Sequence, residues 1–327
     1  MNKKFLLPMI LAITMLIGAC ATPAPQPTAV PAPTTAPTVA PTLAPTIAPS
    51  PAPLTFTDGL KRTVKLNKPA QRIVSLAPST TEMLFAVGAG KQVVGRDKYS
   101  DYPAETKNIT AIIDTFPKVN LEAVVALKPD LVIAASIINQ EQIKAMEDNG
   151  LTVFLVGNPK TFDDLYQTLV TVGQLTAHET EAKKLSDGLK ERVKVVNDKV
   201  KGATKKPKVY YELDATDPLK PYTAGSDTFI DLLIVAAGGE NVVTFKNYAQ
   251  ISSEELVKQN PDIILLGDAK FGTTIESVGK RAGWNAIAAV KNNKVIAFDD
   301  DLASRPAPRL VDGLETMAKV FQPDLFK

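Results

Sequence analysis

Asn120-Leu121-Glu122-Ala123-Val124-Val125-Ala126-Leu127-Lys128-Pro129-Asp130-Leu131-Val132-Ile133 reads as a helix, a stop and a strand. Asn120 is a favoured N-cap residue. Pro129 cannot continue a helix, because it has no N–H to donate. The apolar run after Asp130 is short and suits a buried strand. Ser252-Ser253-Glu254-Glu255-Leu256-Val257-Lys258-Gln259-Asn260-Pro261-Asp262-Ile263-Ile264-Leu265 repeats this pattern at a constant offset of 132 residues, without a gap. Glu, Pro and Asp coincide, and apolar residues fall on apolar residues. Two readings follow: two lobes built alike, or one common helix-Pro-Asp-strand connection used twice.

Strands and helices alternate on both sides of these stretches. In the first half Arg72-Ile73-Val74-Ser75-Leu76 reads as a buried strand, and Ser79 to Val87 as a helix ended by Gly88 and Gly90. Val93-Val94-Gly95 and Val153 to Val156 read as strands, and Gln140 to Asn149 as a helix ended by Gly150. In the second half Lys208 to Leu213, Val242-Val243 and Val295 to Phe298 read as strands, whereas Thr228 to Ala236, Trp284 to Val290 and Arg309 to Val320 read as helices. This alternation predicts an α/β fold of mainly parallel sheets flanked by helices.

Between the halves, Phe162 to Lys201 contains no proline. Glu179, Lys183, Asp187, Lys190, Glu191, Lys194 and Asp198 fall at helical spacing, and Leu175, Leu185, Leu189, Val193 and Val196 form an apolar stripe. The segment predicts a long connecting helix, with a break near Gly173 as the one alternative. Such a connector is stiff, so modest lobe motion is expected.

The N-terminus has a different character. Lys3 and Lys4 precede an apolar run of 15 residues, Phe5 to Ala19, which ends at Cys20, the only cysteine. The run is short for a bilayer span and has the build of an export signal. Ile17-Gly18-Ala19-Cys20 resembles a bacterial lipobox, in which the cysteine is acylated. Ala21 to Pro53 then holds 11 of the 25 prolines and no charged residue. It cannot form a core and favours extended polyproline II, reaching roughly 100 Å at about 3.1 Å per residue. The expected organisation is a signal peptide over 1–20, a tether over 21–53, an N-terminal lobe over 54–160, connector helices over 161–203 and a C-terminal lobe over 204–327. The folded part is expected to work outside the cytoplasmic membrane, anchored by lipid at Cys20.

Composition excludes several functions. With 37 Lys+Arg against 35 Asp+Glu, there is no basic excess to neutralise nucleic-acid phosphates. One Cys and one His exclude cysteine-cluster and multi-histidine metal sites. His178 lies in the connector, with no nucleophile at a recognisable spacing, and reads as a solvated helix residue. Asp299-Asp300-Asp301 reads as an exposed turn, because three consecutive carboxylates do not share one side of a strand. Gly88-Ala89-Gly90 and Ala237-Gly238-Gly239 follow helices and are stops, not phosphate cradles. No set of acid and base residues for catalysis is evident.

Further segments carry a resemblance: Arg72 to Glu82, Tyr99-Ser100-Asp101-Tyr102-Pro103, Tyr222-Thr223-Ala224-Gly225, Ala237-Gly238-Gly239-Glu240-Asn241 and Arg305-Pro306-Ala307-Pro308-Arg309, together with Asn120-Leu121-Glu122 and Leu127-Lys128-Pro129-Asp130. In this order, residues from about 71 to 327 resemble the helical-backbone class of ABC-transporter substrate-binding proteins. This is the class of the periplasmic vitamin B12-binding protein and of iron-siderophore and haem binders. The resemblance implies two α/β lobes bridged by a long helix, a ligand in the cleft between them, and docking on a permease dimer served by an ATPase. The docking glutamates of the class match Glu122 and Glu254. Ser252 and Glu255 have the spacing of a capping box, which occupies Glu255 and leaves Glu254 to point outward; helix-dipole stabilisation is the plain alternative for both glutamates.

The ligand implied is a cobalt corrinoid, or alternatively a ferric siderophore or haem; a third hypothesis is an enzyme on a related two-lobed fold. Carried over by position, the ligand contacts are Pro78, Ser79, Tyr99, Phe116, Tyr222, Tyr248 and Arg305. Arg281, Arg305, Tyr210 and Tyr211 are the candidates for holding an anionic iron chelate. The vitamin B12 binder presents tryptophans in its cleft, where Phe116, Ala135 and Tyr248 stand here. Trp284 is expected to be a packing residue. No resident cofactor or metal is expected.

Overall fold

The computed structural model describes residues 53–327. The export signal, Cys20 and the tether up to residue 52 lie outside the described residues. The described chain opens with a hairpin that the strand-helix reading passed over. β1 (Leu54–Thr57) pairs antiparallel with β2 (Thr63–Leu66) around Asp58-Gly59. The buried Asp58 closes this turn by accepting from the backbone N–H of Leu60 (2.9 Å) and Arg62 (3.0 Å).

The first lobe follows: β3 (Ile73–Ser75), α1 (Pro78–Ala86), β4 (Val93–Asp97), β5 (Ile112–Ile113), α2 (Leu121–Ala126), β6 (Leu131–Ala135), α3 (Gln140–Asp148) and β7 (Val153–Val156). Its five strands are ordered β5-β4-β3-β6-β7 and every pairing is parallel. Such strands are buried on both faces. Ile73, Leu131, Ile133, Phe154 and Val156 enter the core shared with α1 and the connector. Their alternates Val74, Val132, Ala134, Val153 and Leu155 face a second core with α2 and α3.

The connector is two helices, α4 (Phe162–Thr176) and α5 (Glu179–Val200). The break falls at Ala177, whose φ of 59° is left-handed, four residues beyond the glycine singled out in the sequence. Gly173 has a different duty: a Cβ there would lie 2.4 Å from the Cβ of Ala182 on the returning helix. His178 sits in this corner and not within a helix, its Nδ1 2.8 Å from the carbonyl oxygen of Thr176. α5, at 22 residues, is the long bridging helix and spans about 33 Å. Arg192 on it binds Glu315 through Nε (2.8 Å) and Asp312 through Nη2 (2.5 Å) in the second lobe.

The second lobe comprises β8 (Lys208–Asp214), β9 (Tyr222–Ala224), α6 (Phe229–Ala236), β10 (Glu240–Asn241), β11 (Tyr248–Gln250), α7 (Ser253–Gln259), β12 (Ile263–Leu266), α8 (Ile275–Gly279), α9 (Ala288–Lys291), β13 (Val295–Ala297), α10 (Asp301–Ser304) and α11 (Leu310–Phe321). The strand read at Val242-Val243 lies just upstream, in β10. The Trp284 to Val290 helix is a short 3-10 turn followed by α9. Three pairings are parallel and two, β9 with β8 and with β11, are antiparallel. Val209, Tyr211, Ile263 and Leu265 join the core that also contains first-lobe residues, while Tyr210, Ile264, Leu266 and Trp284 form a third core. One apolar cluster therefore runs through both lobes and the connector.

The 132-residue match is structural. α2 and α7 are capped by Asn120 and Ser252, and β6 and β12 follow at the same offset. Asp130 Oδ2 accepts from the backbone N–H of Arg72 (3.0 Å), at the start of β3. Asp262 Oδ2 accepts from the backbone N–H of Lys208 (2.9 Å), at the start of β8. In each lobe the matched aspartate ties one central strand to its parallel neighbour. The capping box is half formed: Ser252 Oγ accepts from Glu255 N–H (3.1 Å), but Glu255 Oε1 accepts from Gln259 Nε2 (2.7 Å) instead of reaching back.

Candidate functional site

In the first lobe the chain moves outward from β3 to β4 and β5 on one side, and through β6 to β7 on the other. Between β3 and β6 the direction of winding reverses. Loops leaving the carboxyl ends of two such strands diverge and open a crevice, the usual ligand site of open parallel sheets. Pro78 and Ser79 follow β3 here, and Ala135 and Ile137 come from the end of β6. Pro78 stands at the first position of α1, where its missing N–H costs nothing.

Buried hydroxyls hold this turn. Ser75 Oγ lies 2.7 Å from Thr80 Oγ1 and accepts from Thr81 Oγ1 at 2.8 Å. Thr81 Oγ1 also lies 2.7 Å from Ser100 Oγ, which is in turn within hydrogen-bond distance of Asp97 Oδ1. All five residues are buried, so the network fixes the β3–α1 turn against the loop after β4 that carries Tyr99, Asp101 and Tyr102.

A cavity of about 310 Å³ lies over this point, with walls from both lobes. Pro78, Ser79, Ile137 and Asn158 come from the first; Leu213, Phe229, Tyr248 and Arg305 come from the second. The Tyr248 ring packs edge-on against Phe229, with centroids 6.1 Å apart. Burial pushes the Tyr248 hydroxyl well above its ordinary range. The lining is mostly apolar, with a few polar groups, as ligand pockets commonly are.

Charge at the cavity is tightly paired. Arg305 Nη1 binds Asp101 (2.6 Å) and Glu82 (3.5 Å) of the first lobe, and its Nη2 binds Asp301 (3.2 Å) of its own. Arg309 Nε binds Glu82 Oε2 (2.8 Å), and its Nη2 binds Oε1. The Arg309 guanidinium also lies 3.8 Å from the centroid of the Tyr102 ring, a cation–π contact. Both arginines of the Arg-Pro-x-Pro-Arg segment thus cross from the second lobe to carboxylates of the first. Gly313 permits this: a Cβ there would lie 2.2 Å from Leu302 O, so α11 could not pack on α10.

Of the residues carried over by position, Pro78, Ser79, Tyr248 and Arg305 line this one cavity. Tyr99, Phe116 and Tyr222 do not. Tyr99 and Phe116 are exposed on loops beyond β4 and β5, and Phe116, 74% exposed, lines a separate groove with Glu122. Tyr222 starts β9 and donates its hydroxyl to the Tyr248 carbonyl (3.2 Å). Sequence reasoning missed Ile137, Asn158, Leu213 and Phe229. Three of them share a signal, position: Ile137, Asn158 and Leu213 lie at or just past the carboxyl ends of β6, β7 and β8, whereas Phe229 opens α6.

Residues 73–302 match the family model described as periplasmic binding protein. The chain belongs to that family. It is 34% identical to YvrC, an ABC-transporter substrate-binding lipoprotein of Bacillus subtilis, over 84% of this chain and 87% of the relative. A cobalamin-binding protein of Halobacterium salinarum is 30% identical, over 82% of this chain and 74% of the relative. Among solved structures, a possible iron-binding periplasmic solute-binding protein of Staphylococcus epidermidis is 33% identical with a TM-score of 0.68, covering 78% of this chain and 100% of that one. This periplasmic binding protein is therefore the substrate-binding component of an ABC importer, working with a permease and an ATPase, and is not an enzyme.

Within the family fold, Glu122 and Glu254 take equivalent places. Each is the second residue of its helix, each is exposed, and neither has an ion pair among the described residues. The candidates for an anionic chelate fare otherwise. Tyr210 and Tyr211 are fully buried and cannot reach a ligand. Arg281 is bound through both terminal nitrogens to the buried Glu212, at 2.6 and 2.8 Å. Trp284 is a packing residue: fully buried, edge-on to Tyr210, it donates Nε1–H to Ser253 Oγ (2.5 Å). The aspartate triplet is not simply an exposed turn. Asp299 is exposed, Asp300 accepts from Tyr211 (2.9 Å) and Ser304 (2.5 Å), and Asp301 pairs with Lys270 and Arg305. The three side chains diverge, and no metal-holding cluster occurs among the described residues.

Proposed function

We propose that this protein is an extracytoplasmic binding protein, anchored through lipid at Cys20, that captures a cobalt corrinoid between its lobes and delivers it to a permease dimer docked through Glu122 and Glu254. The reading rests on one observation above the others: among the described residues the cavity offers no uncompensated cation. Arg305 is shared among three carboxylates, and Arg309 is bound to Glu82. A haem with its propionates, or an anionic ferric siderophore, needs an unpaired positive charge. A corrinoid presents an apolar macrocycle with uncharged amides, which suits aromatic and apolar walls with a few polar groups. The halobacterial relative supports this reading, and the staphylococcal structure supports the iron-chelate alternative. At about 310 Å³ the cavity receives one edge of such a ligand, and the exposed Tyr99, Phe116 and Tyr222 offer aromatic faces for the remainder.

The test is retention of chromophore. Residues 54–327 are incubated separately with cobalamin, haem and a ferric siderophore, passed through gel filtration and read by absorbance. About one corrinoid per chain is expected, with neither iron ligand retained. Tyr248→Ala should weaken corrinoid retention by about tenfold or more, the scale of losing a central aromatic anchor. Retention of haem or the siderophore alone would replace the corrinoid with an iron chelate.

A further inference from the structure

The stretch from Lys199 to Lys208 holds five lysines and no acidic residue, in a chain whose formal net charge is only +2. All five are exposed. The stretch carries the end of α5 into β8, and its backbone is pinned from three elements. The Lys205 carbonyl accepts from Gln322 Nε2 (2.8 Å), just past α11. The Pro207 carbonyl accepts from the Glu240 N–H (2.9 Å) at β10, and the Lys208 carbonyl from the Asp262 N–H (2.8 Å) ahead of β12. The lysines therefore stand on a fixed ridge. Helix-dipole stabilisation reaches only the last turn of a helix. It accounts for Lys199, which also lies 4.8 Å from the Phe326 ring centroid, and for Lys201, which shares Asp198 with Lys194. Lys205, Lys206 and Lys208 lie beyond α5 and have no ion pair among the described residues. The carboxylates adjoining the ridge are Glu240 and Asp262, and Asp262 is engaged by the Lys208 backbone N–H (2.9 Å). Cations are in excess, and their mutual repulsion favours an anionic partner.

A groove of about 950 Å³ runs beside the ridge, between α5, α6 and the start of α4. Lys190, Lys194, Lys201 and Lys206 line it together with Leu232, Val235 and Ala236 of α6, and Val235 is 54% exposed. Its acidic residues are Asp198, already bound to Lys194 and Lys201, and Asp163 in the first turn of α4. A soluble polyanion would use the lysines alone. A surface of anionic phospholipid would use both the lysines and the exposed apolar side chain between them. β8 sets this face apart from the ligand cavity: Lys208 begins the strand and Leu213 lines the cavity, roughly 17 Å away at the rise of a strand.

We infer that the ridge and groove form a membrane-contact face for anionic phospholipid headgroups, additional to the lipid at Cys20, which seats the body with its ligand cavity away from the lipid. Its use in transport rests on the anchored binding-protein reading above; its lipid selectivity does not. Residues 54–327, which hold all three apolar cores, are sedimented with phosphatidylglycerol vesicles and with phosphatidylcholine vesicles. Binding to the first alone is expected, weakening as salt rises. Each lysine near an anionic surface contributes about fivefold, so Lys205→Gln, Lys206→Gln and Lys208→Gln together should weaken binding by about 100-fold. Lys65→Gln, Lys68→Gln and Lys91→Gln remove as much charge from other exposed positions and should leave binding within about threefold, because screening confines the effect to nearby lysines. Val235→Asp should weaken vesicle binding by about tenfold and leave any binding of soluble polyphosphate unchanged. All substituted side chains are exposed, and unchanged urea midpoints verify folding. No binding to phosphatidylglycerol, or equal losses in the two triple variants, overturns the face. Tight binding of polyphosphate, with vesicle binding unaffected by Val235→Asp, makes the ridge a polyanion site and overturns the membrane assignment. Failure to retain cobalamin refutes the corrinoid reading and leaves the vesicle result standing.

Discussion

Replacing Glu122 and Glu254 together by alanine is expected to abolish uptake while leaving ligand retention unchanged. Each carboxylate is exposed and free of ion pairs among the described residues. Each stands at the second position of a short helix in a separate lobe. A carboxylate in that place is favoured by the helix dipole, yet the geometry leaves it available to an arginine of a partner. Charge-assisted contacts of this kind are strong where they are desolvated, and loss of both should weaken docking by roughly 100-fold or more. Because the two sites lie on different lobes, each single variant should give about half of that loss on a logarithmic scale. Uptake in cells and retention by the purified protein are measured on the same four proteins. A parallel fall in retention would show that the glutamates act on the cleft and not on the permease.

The second large effect concerns the crossing between lobes. Glu82 is 2% exposed and binds Arg309 through both oxygens, with Arg305 at 3.5 Å. Glu82→Ala leaves Arg309 beside the Tyr102 ring with no carboxylate partner. Removing one member of a buried pair typically costs about 3–5 kcal/mol, because the remaining charge is left uncompensated. Arg305 keeps Asp101 and Asp301, so the lower end, about 3 kcal/mol, is expected. Urea unfolding with tryptophan fluorescence reports it, since Trp284 lies in the second-lobe core. Salt should change the difference little, because buried pairs are poorly screened. A loss below about 1 kcal/mol would put the pair in the class of weak surface bridges and remove it as a determinant of lobe spacing.

These networks explain why some features were legible and others were not. Local rules act over a few residues, so α2 and α7, their caps and the strands after them could be read from Asn120, Ser252 and the Pro-Asp pairs. The hairpin of β1 and β2 was equally local: Asp58-Gly59 between alternating stretches is a strong turn signal. The strands β9 and β11, at three residues each, are too short to carry a periodicity. The break in the connector was misplaced because glycine is not the only residue that adopts a left-handed conformation. Ala177 does so where α5 must fold back on α4, and that need arises from packing.

The α/β class and the helical link were legible along the chain, and two matched lobes were one of the two readings that the 132-residue repeat allowed. It also marked Glu122 and Glu254 as equivalent surface carboxylates. These follow from periodicity, caps and breakers, all of which depend on neighbours along the chain. What each chemically able side chain has left to give follows from contacts between residues remote in the chain. Tyr210 and Tyr211 are spent in the cores, Arg281 on Glu212, and Arg305 and Arg309 on carboxylates more than 200 residues away, at separations of 204 to 227. Availability depends on distances between residues remote in the chain, and hydrogen bonding and burial set those distances only once the lobes have met.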